Sequence, residues 1–529
     1  MKSLMKKVFA AAAAIATVFG LAATTVATAN AADNATLTVS TTDAKFAGKT
    51  VNAYKMFSAT VSGDGKAVSY TLTDEWKPFF KNSVGLTGVT DENVNDKAND
   101  YVSKLKDSTL VAFATKASNW AQTKANNITA DATATVSADA SNGKYTATFT
   151  GLGYGYYVVA VPGATLANAK SQYATLVSVH STKVDADIKG DLPTVDKKVQ
   201  VDGTGKDATD AKIGDTLTFT LTSTIPDMSA YDTYTFNFKD TLSKGLTFGQ
   251  VKSVKVENVT LTENTDYTVT TPTASNNNTL TVAMKDFKTK QQANAGKKIT
   301  VTYTATLNEN AVVGGAGNVN SAKIQYSNNP STNGTGESEP SKVRVFTYGF
   351  TVDKYTGDYG ENATRLAGAE FTLAPKNGTA ISFVQVNAGS GTAKAEYRVA
   401  NAGETGATTT IITPANGKVV FEGLKNGEYT LTETEAPAGY NKLASAIGVK
   451  VNGQNDGTDT TNATVTITYN NDNNGSNYDQ TASNGVIPVR NKSGVTLPGT
   501  GGMGTIAFTV IGVLVIALGV AWTLKRKNA

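Results

Sequence analysis

The chain has 529 residues, 48 of them Lys or Arg and 44 Asp or Glu, with one histidine and no cysteine. Zero Cys excludes disulfides and thiolate metal sites, and a lone His180 excludes a His-rich metal site or a multi-histidine relay. Charged residues are 17% of the chain against a usual ~25%, with Thr, Ala, Asn and Gly in their place.

In chain order, Lys2, Lys6 and Lys7 precede an apolar, Ala-rich run from Val8 to Ala23, and Ala29-Asn30-Ala31 offers a small-residue cleavage site. Residues 1–31 therefore read as a secretory signal. Removing them takes three Lys, and removing residues 501–529 takes two Lys and one Arg, leaving 42 basic against 44 acidic residues. Such a balance gives no reason to expect nucleic acid or anionic lipid as a partner.

Residues 32–190 read as a first domain. Alternation at Leu37-Thr38-Val39, Val51–Phe57, Lys144–Phe149 and Tyr156–Val161 predicts strands. Between them Tyr101, Leu105, Leu110, Phe113, Ala117 and Trp120 fall near helical spacing, so one or two amphipathic helices interrupt the sheet. Residues 191–345 read as an all-β second domain, with alternation at Leu217-Phe219-Leu221, Tyr234-Phe236-Phe238 and Ile324-Tyr326. Residues 346–494 read as a third domain of short strands and Asn/Gly turns. An internal repeat ties the third to the first: Phe149, Gly151, Leu152, Gly155 and Tyr157 recur at the same spacing as Phe421, Gly423, Leu424, Gly427 and Tyr429. The predicted fold is mainly β, a tandem of immunoglobulin-like sandwiches, the first with inserted helices.

Residues 495–529 close the chain. Leu497-Pro498-Gly499-Thr500-Gly501 is followed by an apolar run, Ile506 to Leu524, and by Lys525-Arg526-Lys527. At ~1.5 Å per residue that run reaches about 28 Å, the hydrocarbon thickness of a bilayer. A transmembrane helix over 506–524 with a basic cytoplasmic stop is expected.

Six polar residues occupy the apolar phase of their strands and so point into a core. In the second domain Lys197 shares its phase with Val195 and Val199, Asp240 continues Phe236-Phe238, and Asn328 continues Ile324-Tyr326. In the third, Lys354 follows Phe350 and Val352, Glu433 follows Tyr429 and Leu431, and Asn491 follows Ile487 and Val489. Lone buried charges are expensive and drift toward neutrality. A desolvated Lys becomes a free amine able to attack an Asn carboxamide, while a protonated acid polarises the carbonyl and moves the proton. Ammonia leaves and an isopeptide bond remains, a single-turnover intramolecular reaction rather than turnover as an enzyme. No cofactor and no metal are implied.

Tyr429-Thr430-Leu431-Thr432-Glu433-Thr434 with Ala436-Pro437-Ala438-Gly439-Tyr440 resembles the E-box of Cna B-type domains, and Val352-Asp353-Lys354 and Val489-Arg490-Asn491 resemble its donor and acceptor strands. Pro193–Lys197, Phe238-Lys239-Asp240 and Tyr326-Ser327-Asn328 are similar to strands in the middle domain of fimbrial backbone subunits. The segment from Leu497 to Lys527 resembles the LPxTG cell-wall sorting signal of Gram-positive surface proteins. The resemblance implies Lys197 bonded to Asn328 under Asp240, and Lys354 bonded to Asn491 under Glu433. The adjacent Lys198 is a rival donor whose phase points outward. Position 161 of the first domain, the counterpart of Glu433, is Val161, so no such bond is expected there.

The resemblance also implies that a class C sortase cleaves after Thr500 and passes its acyl group to a lysine of the next copy. Backbone pilins carry that lysine at the end of the first domain, usually in Tyr-Pro-Lys-Asn. This chain has instead Val184-Asp185-Ala186-Asp187-Ile188-Lys189-Gly190, where Lys189 points away from the apolar face. Lys189 is the expected polymerising residue, with Lys183 behind it. The implied partners are a sortase, copies of this chain, minor pilins, peptidoglycan and an unidentified host or bacterial surface ligand. The implied location is the cell wall or fimbrium of a Gram-positive bacterium, reached by secretion and transient membrane retention. A monomeric wall-anchored adhesin, or a basal or tip pilin, would share the anchor and crosslinks yet need no polymerising lysine. Nothing in the chain forms a nucleophile–base constellation or phosphate loop for a surface hydrolase.

Overall fold

A computed structural model describes residues 34–494, apart from 64, 66, 140–142, 167–168, 170, 331–332, 455–462 and 471–477, together with 503–527. The signal segment 1–31 and Leu497, Pro498, Gly499, Thr500 and Gly501 lie outside the described residues. Alternating Thr, Val, Ile and aromatic residues suit a pleated, half-buried surface, and the protein is mainly β with a minority of helix. Its sheets form from three successive stretches of chain, two sheets from each.

In the first stretch Ala35–Thr41 lies between Lys144–Leu152, antiparallel, and Lys183–Asp187, parallel. The second sheet runs Val68–Leu72, Thr50–Val61, Gly155–Thr165, Gln172–Val179. Helices Lys77–Asn82, Val94–Ser103 and Asp107–Gln122 bury its other face. Gly155–Thr165 is accordingly apolar in both phases: Tyr157, Val159 and Val161 enter the sandwich core, while Tyr156, Val158 and Ala160 meet Trp76, Phe79 and Phe113 under the helices. The helical aromatic stripe is thus core.

The second stretch pairs a sheet centred on Thr216–Thr224 and Lys298–Leu307, with Asp196–Val201 beside them, against one centred on Phe236–Leu242 and Asn318–Ser327, with Ser341–Phe346 beside the latter. In the third, Tyr348–Thr356 pairs antiparallel with Lys418–Leu424 and parallel with Val486–Arg490. The facing sheet contains Glu370–Pro375, Gly427–Glu435 and Ile447–Gln454.

The repeat has a backbone cause. Tyr157 donates its hydroxyl to Gly153 O at 2.6 Å, and Tyr429 donates to Lys425 O at 2.7 Å. Each bond closes the turn between two strands, and near the end of the strand before it Gly151 or Gly423 takes φ of +72° or +85°, a region that favours glycine. Gly423 also lets the second stretch dock: Ile213 N–H donates to Gly423 O at 3.0 Å, and a Cβ there would stand 2.7 Å from Ile213 Cδ1.

Met503–Lys527 is a helix of 25 residues, and its described apolar side chains, Val510 to Leu524, are exposed. Among the described residues no helix is long and apolar enough to cross a membrane; the side chains of 501–508 fall outside them. The membrane reading of 506–524 therefore rests on its sequence.

Candidate functional site

Lys354 lies on Tyr348–Thr356 and Asn491 just past Val486–Arg490, the parallel neighbour, where Lys354 pairs with Val489. Glu433 comes from Gly427–Glu435 in the facing sheet. All three are buried to within 1%. Lys354 Nζ is 3.1 Å from Glu433 Oε1, and Asn491 Nδ2–H donates to Glu433 Oε2 at 3.0 Å. Leu443 N–H also donates to that oxygen, at 2.7 Å, and Asn491 donates to Asn441 O at 2.8 Å, so carboxylate and amide are both held in place. Burial pulls the Lys354 amine down to about 8, partly opposed by the Glu433 charge.

The second cluster joins two sheets. Lys197, on Asp196–Val201, and Tyr303, on Lys298–Leu307, come from one; Asp240, on Phe236–Leu242, comes from the other. Lys197 Nζ donates to Asp240 Oδ2, and to the Tyr303 hydroxyl at 2.8 Å, and lies 5.0 Å from the Phe219 ring centre. Tyr303 O–H donates to Asp240 Oδ2 at 2.6 Å. Burial pulls Lys197 down to about 8, again against its acid partner, and pushes the Tyr303 phenol well up. Lys198 points outward and pairs with Asp207 at 2.5 Å and Asp196 at 3.4 Å.

Asn328 does not join this cluster. It lies just beyond the end of Asn318–Ser327, half-buried, with its N–H donated to Gly334 O at 3.1 Å and its Cα beside Gly163 of the first stretch. Asp240 pairs with Ala322, six residues away, which at ~3.3 Å per residue is about 20 Å of strand. The amide that reaches the cluster is Asn320, fully buried, whose Nδ2–H donates to the Tyr303 hydroxyl at 2.6 Å. Asn320 and Asn328 share one phase, so alternation admits both and only the pairing register separates them. Tyr303 carries no sequence signal, since Val301 and Ala305 make it look like any core aromatic. The carbonyl oxygens of Asn320 and Asn491 are both buried without a hydrogen-bond partner among the described residues, which leaves each amide less stabilised than in water.

Register gives the first stretch its counterparts. Leu37 pairs with Phe149 as Phe350 pairs with Phe421, and Val39 pairs with Ala186 as Val352 pairs with Ile487. Thr41, Val161 and Gly190 therefore stand where Lys354, Glu433 and Asn491 do. A Cβ at Gly190 would lie 2.6 Å from the Tyr173 ring, so that position is given over to packing. Lys189 and Lys183 are both exposed, at the end and the start of the last strand region of this stretch. Among the described residues no group of three or more His, Cys, Asp or Glu could hold a metal ion.

Family models match three stretches of this chain of tandem sandwiches. Residues 213–330 match the Gram-positive pilin backbone subunit 2, Cna-B-like domain; residues 356–467 match the SpaA prealbumin-like fold domain; residues 490–529 match the LPXTG cell wall anchor motif. The chain thus carries a stretch similar to a pilin backbone domain, a stretch similar to a prealbumin-like domain and a cell-wall anchor motif. It is 25% identical over 279 residues to the trypsin-resistant surface T6 protein of Streptococcus pyogenes serotype M6, a match covering 48% of this chain and 44% of that relative, less than half its length. Similar solved structures include the T6 backbone pilin of S. pyogenes (18% identity, 87% of this chain and 98% of that one, TM-score 0.46). The full-length major pilin SpaD of Corynebacterium diphtheriae is another (19% identity, 88% and 98%, TM-score 0.40).

Proposed function

We propose that this chain is the load-bearing backbone subunit of a covalently polymerised, wall-anchored pilus. The observation that carries the proposal is the pair of dry clusters, each bringing a lysine, an acid and an asparagine amide together. Burying such charges is poor value for stability alone, whereas the same arrangement suits amide formation. In the third module Lys354 Nζ attacks Asn491 Cγ, Glu433 carries the proton, and ammonia leaves. In the middle module Lys197 and Asn320 react under Asp240. The domain division at 190 and 345 follows the same reading, each module contributing its own pair of sheets.

Polymerisation joins the Thr500 carboxyl of one copy to a lysine of the next through a class C sortase, and the terminal copy to peptidoglycan. Lys189 is the proposed acceptor, being exposed beside Gly190 at the junction with the second module. Tension then enters at Lys189 and leaves at Thr500, so it crosses the second and third modules and bypasses the first. That path accounts for Thr41, Val161 and Gly190, which leave the first module without the reacting groups. The fibre presents these copies for adhesion to another surface. Internal amides would also give the resistance to proteases that the T6 relative's name records for that protein.

Immunoblotting of wall extracts tests the assignment. A high-molecular-mass ladder is expected, and it should collapse when a pilus sortase is deleted. A single band in wild-type cells would instead mark a monomeric wall-anchored adhesin.

A further inference from the structure

The two clusters solve one geometric problem differently. Glu433 touches both reacting groups by itself, Lys354 on Oε1 and Asn491 on Oε2. Asp240 is one methylene shorter and uses only Oδ2, which takes Lys197 and Tyr303; its Oδ1 has no hydrogen-bond partner among the described residues. The gap to Asn320 is filled by the Tyr303 hydroxyl, which accepts from Lys197 Nζ at 2.8 Å and Asn320 Nδ2 at 2.6 Å while donating to Asp240 at 2.6 Å.

We propose that Tyr303 is a catalytic residue of the middle module, the hydroxyl through which Asp240 delivers a proton to the departing nitrogen of Asn320. The inference deepens the proposed crosslinking and rests on it. Asp240 takes one proton from the Lys197 ammonium, and the neutral Nζ adds to Asn320 Cγ. A second Nζ proton has to leave as the new C–N bond forms and the Cγ–Nδ2 bond breaks. It travels to Asp240, while the Tyr303 hydroxyl gives its own proton to Nδ2 and regains one from Asp240. Ammonia departs carrying two amide protons and the relayed one. The first proton passes from Asp240 to the medium, so the acid ends ionised and the phenol ends protonated, both as they began. The phenol's exclusion from water suits it to pass a proton without remaining ionised, because an isolated phenolate there is unfavourable.

The third module supplies an internal control within one molecule. The wild-type chain, followed by intact mass after a pulse of synthesis, should lose two ammonias, and peptide mapping should place one bond at Lys197–Asn320. Tyr303→Phe should form the Lys354–Asn491 bond at the wild-type rate and the Lys197–Asn320 bond at least about tenfold more slowly. Adding Asp240→Glu to Tyr303→Phe lengthens the acid to the reach of Glu433 and should restore much of the rate. Equal rates in Tyr303→Phe and wild type would overturn the role of Tyr303. Absence of a Lys197 crosslink in the wild type would instead overturn the crosslinking on which it rests. Normal third-module bonding shows that a slow variant has folded. Should Tyr303→Phe fail to fold, the double variant decides alone: folding with a restored middle bond supports the relay, and folding without that bond overturns it.

Discussion

Lys354 and Asn491 meet on opposite oxygens of one carboxylate, the amine 3.1 Å from Glu433 Oε1 and the amide donating to Oε2 at 3.0 Å. The parallel pairing of the first and last strands of their sandwich puts them there. The first and last strands of the module are thus placed side by side, with the atoms of the proposed crosslink between them.

The wild-type protein is expected to be lighter than its mature sequence by two ammonias. Lys354→Ala, Asn491→Ala and Glu433→Gln should each lose only one. Intact-protein mass reads this directly, and a wild-type mass equal to that of the sequence would reject the chemistry.

The middle module separates two asparagines. Asn320→Ala should keep one ammonia that the wild type loses, while Asn328→Ala should leave the mass deficit at two. The reverse result would mean that the loop at Asn328 reaches the core in a way the register forbids.

A Lys197–Asn320 bond leaves the strand Ser341–Phe346 outside the crosslinked loop, held by its pairing from Asn318↔Val345 to Ala322↔Ser341. Pulling between Lys189 and the C terminus should release roughly 25 residues from the middle module, an extension of up to about 90 Å. The third module, closed from Lys354 to Asn491, should yield almost nothing. Single-molecule force spectroscopy showing no step of that size would argue against the placement.

Uncrosslinked variants should show the cost of the dry lysines. In Asn491→Ala, Lys354 titrates at about 8 when folded and near 10.4 unfolded. Between those values the unfolded chain holds more protons, so stability rises with pH there, by at most about 1.4 kcal/mol per pH unit. Lys354→Met/Asn491→Ala should lack this component, and the difference between their urea midpoints across pH 8–9.5 measures it. The double variant Asn320→Ala/Asn491→Ala should be less stable to heat and trypsin than wild type. By analogy with covalent loop closure the loss is about 4–5 kcal/mol for the longer loop.

Lys189→Ala should abolish covalent oligomers in a reaction with a pilus sortase, whereas Lys183→Ala should leave the ladder intact. Ladders from Lys189→Ala that vanish on adding Lys183→Ala would move the junction to Lys183.

The sequence by itself determined the mainly β architecture, the repeat and the anchor motif, because strand alternation, glycine-dependent turns and the Leu497–Gly501 pattern are local and readable one segment at a time. It also marked Lys197, Asp240, Lys354, Glu433 and Asn491 as inward, since phase on a strand fixes the face. Phase repeats every two residues and cannot choose between Asn320 and Asn328, nor tell Tyr303 from the core aromatics around it. Only the tertiary structure decided those, because which residues meet across a sandwich depends on the register of strands far apart in the chain and on how the two sheets face each other.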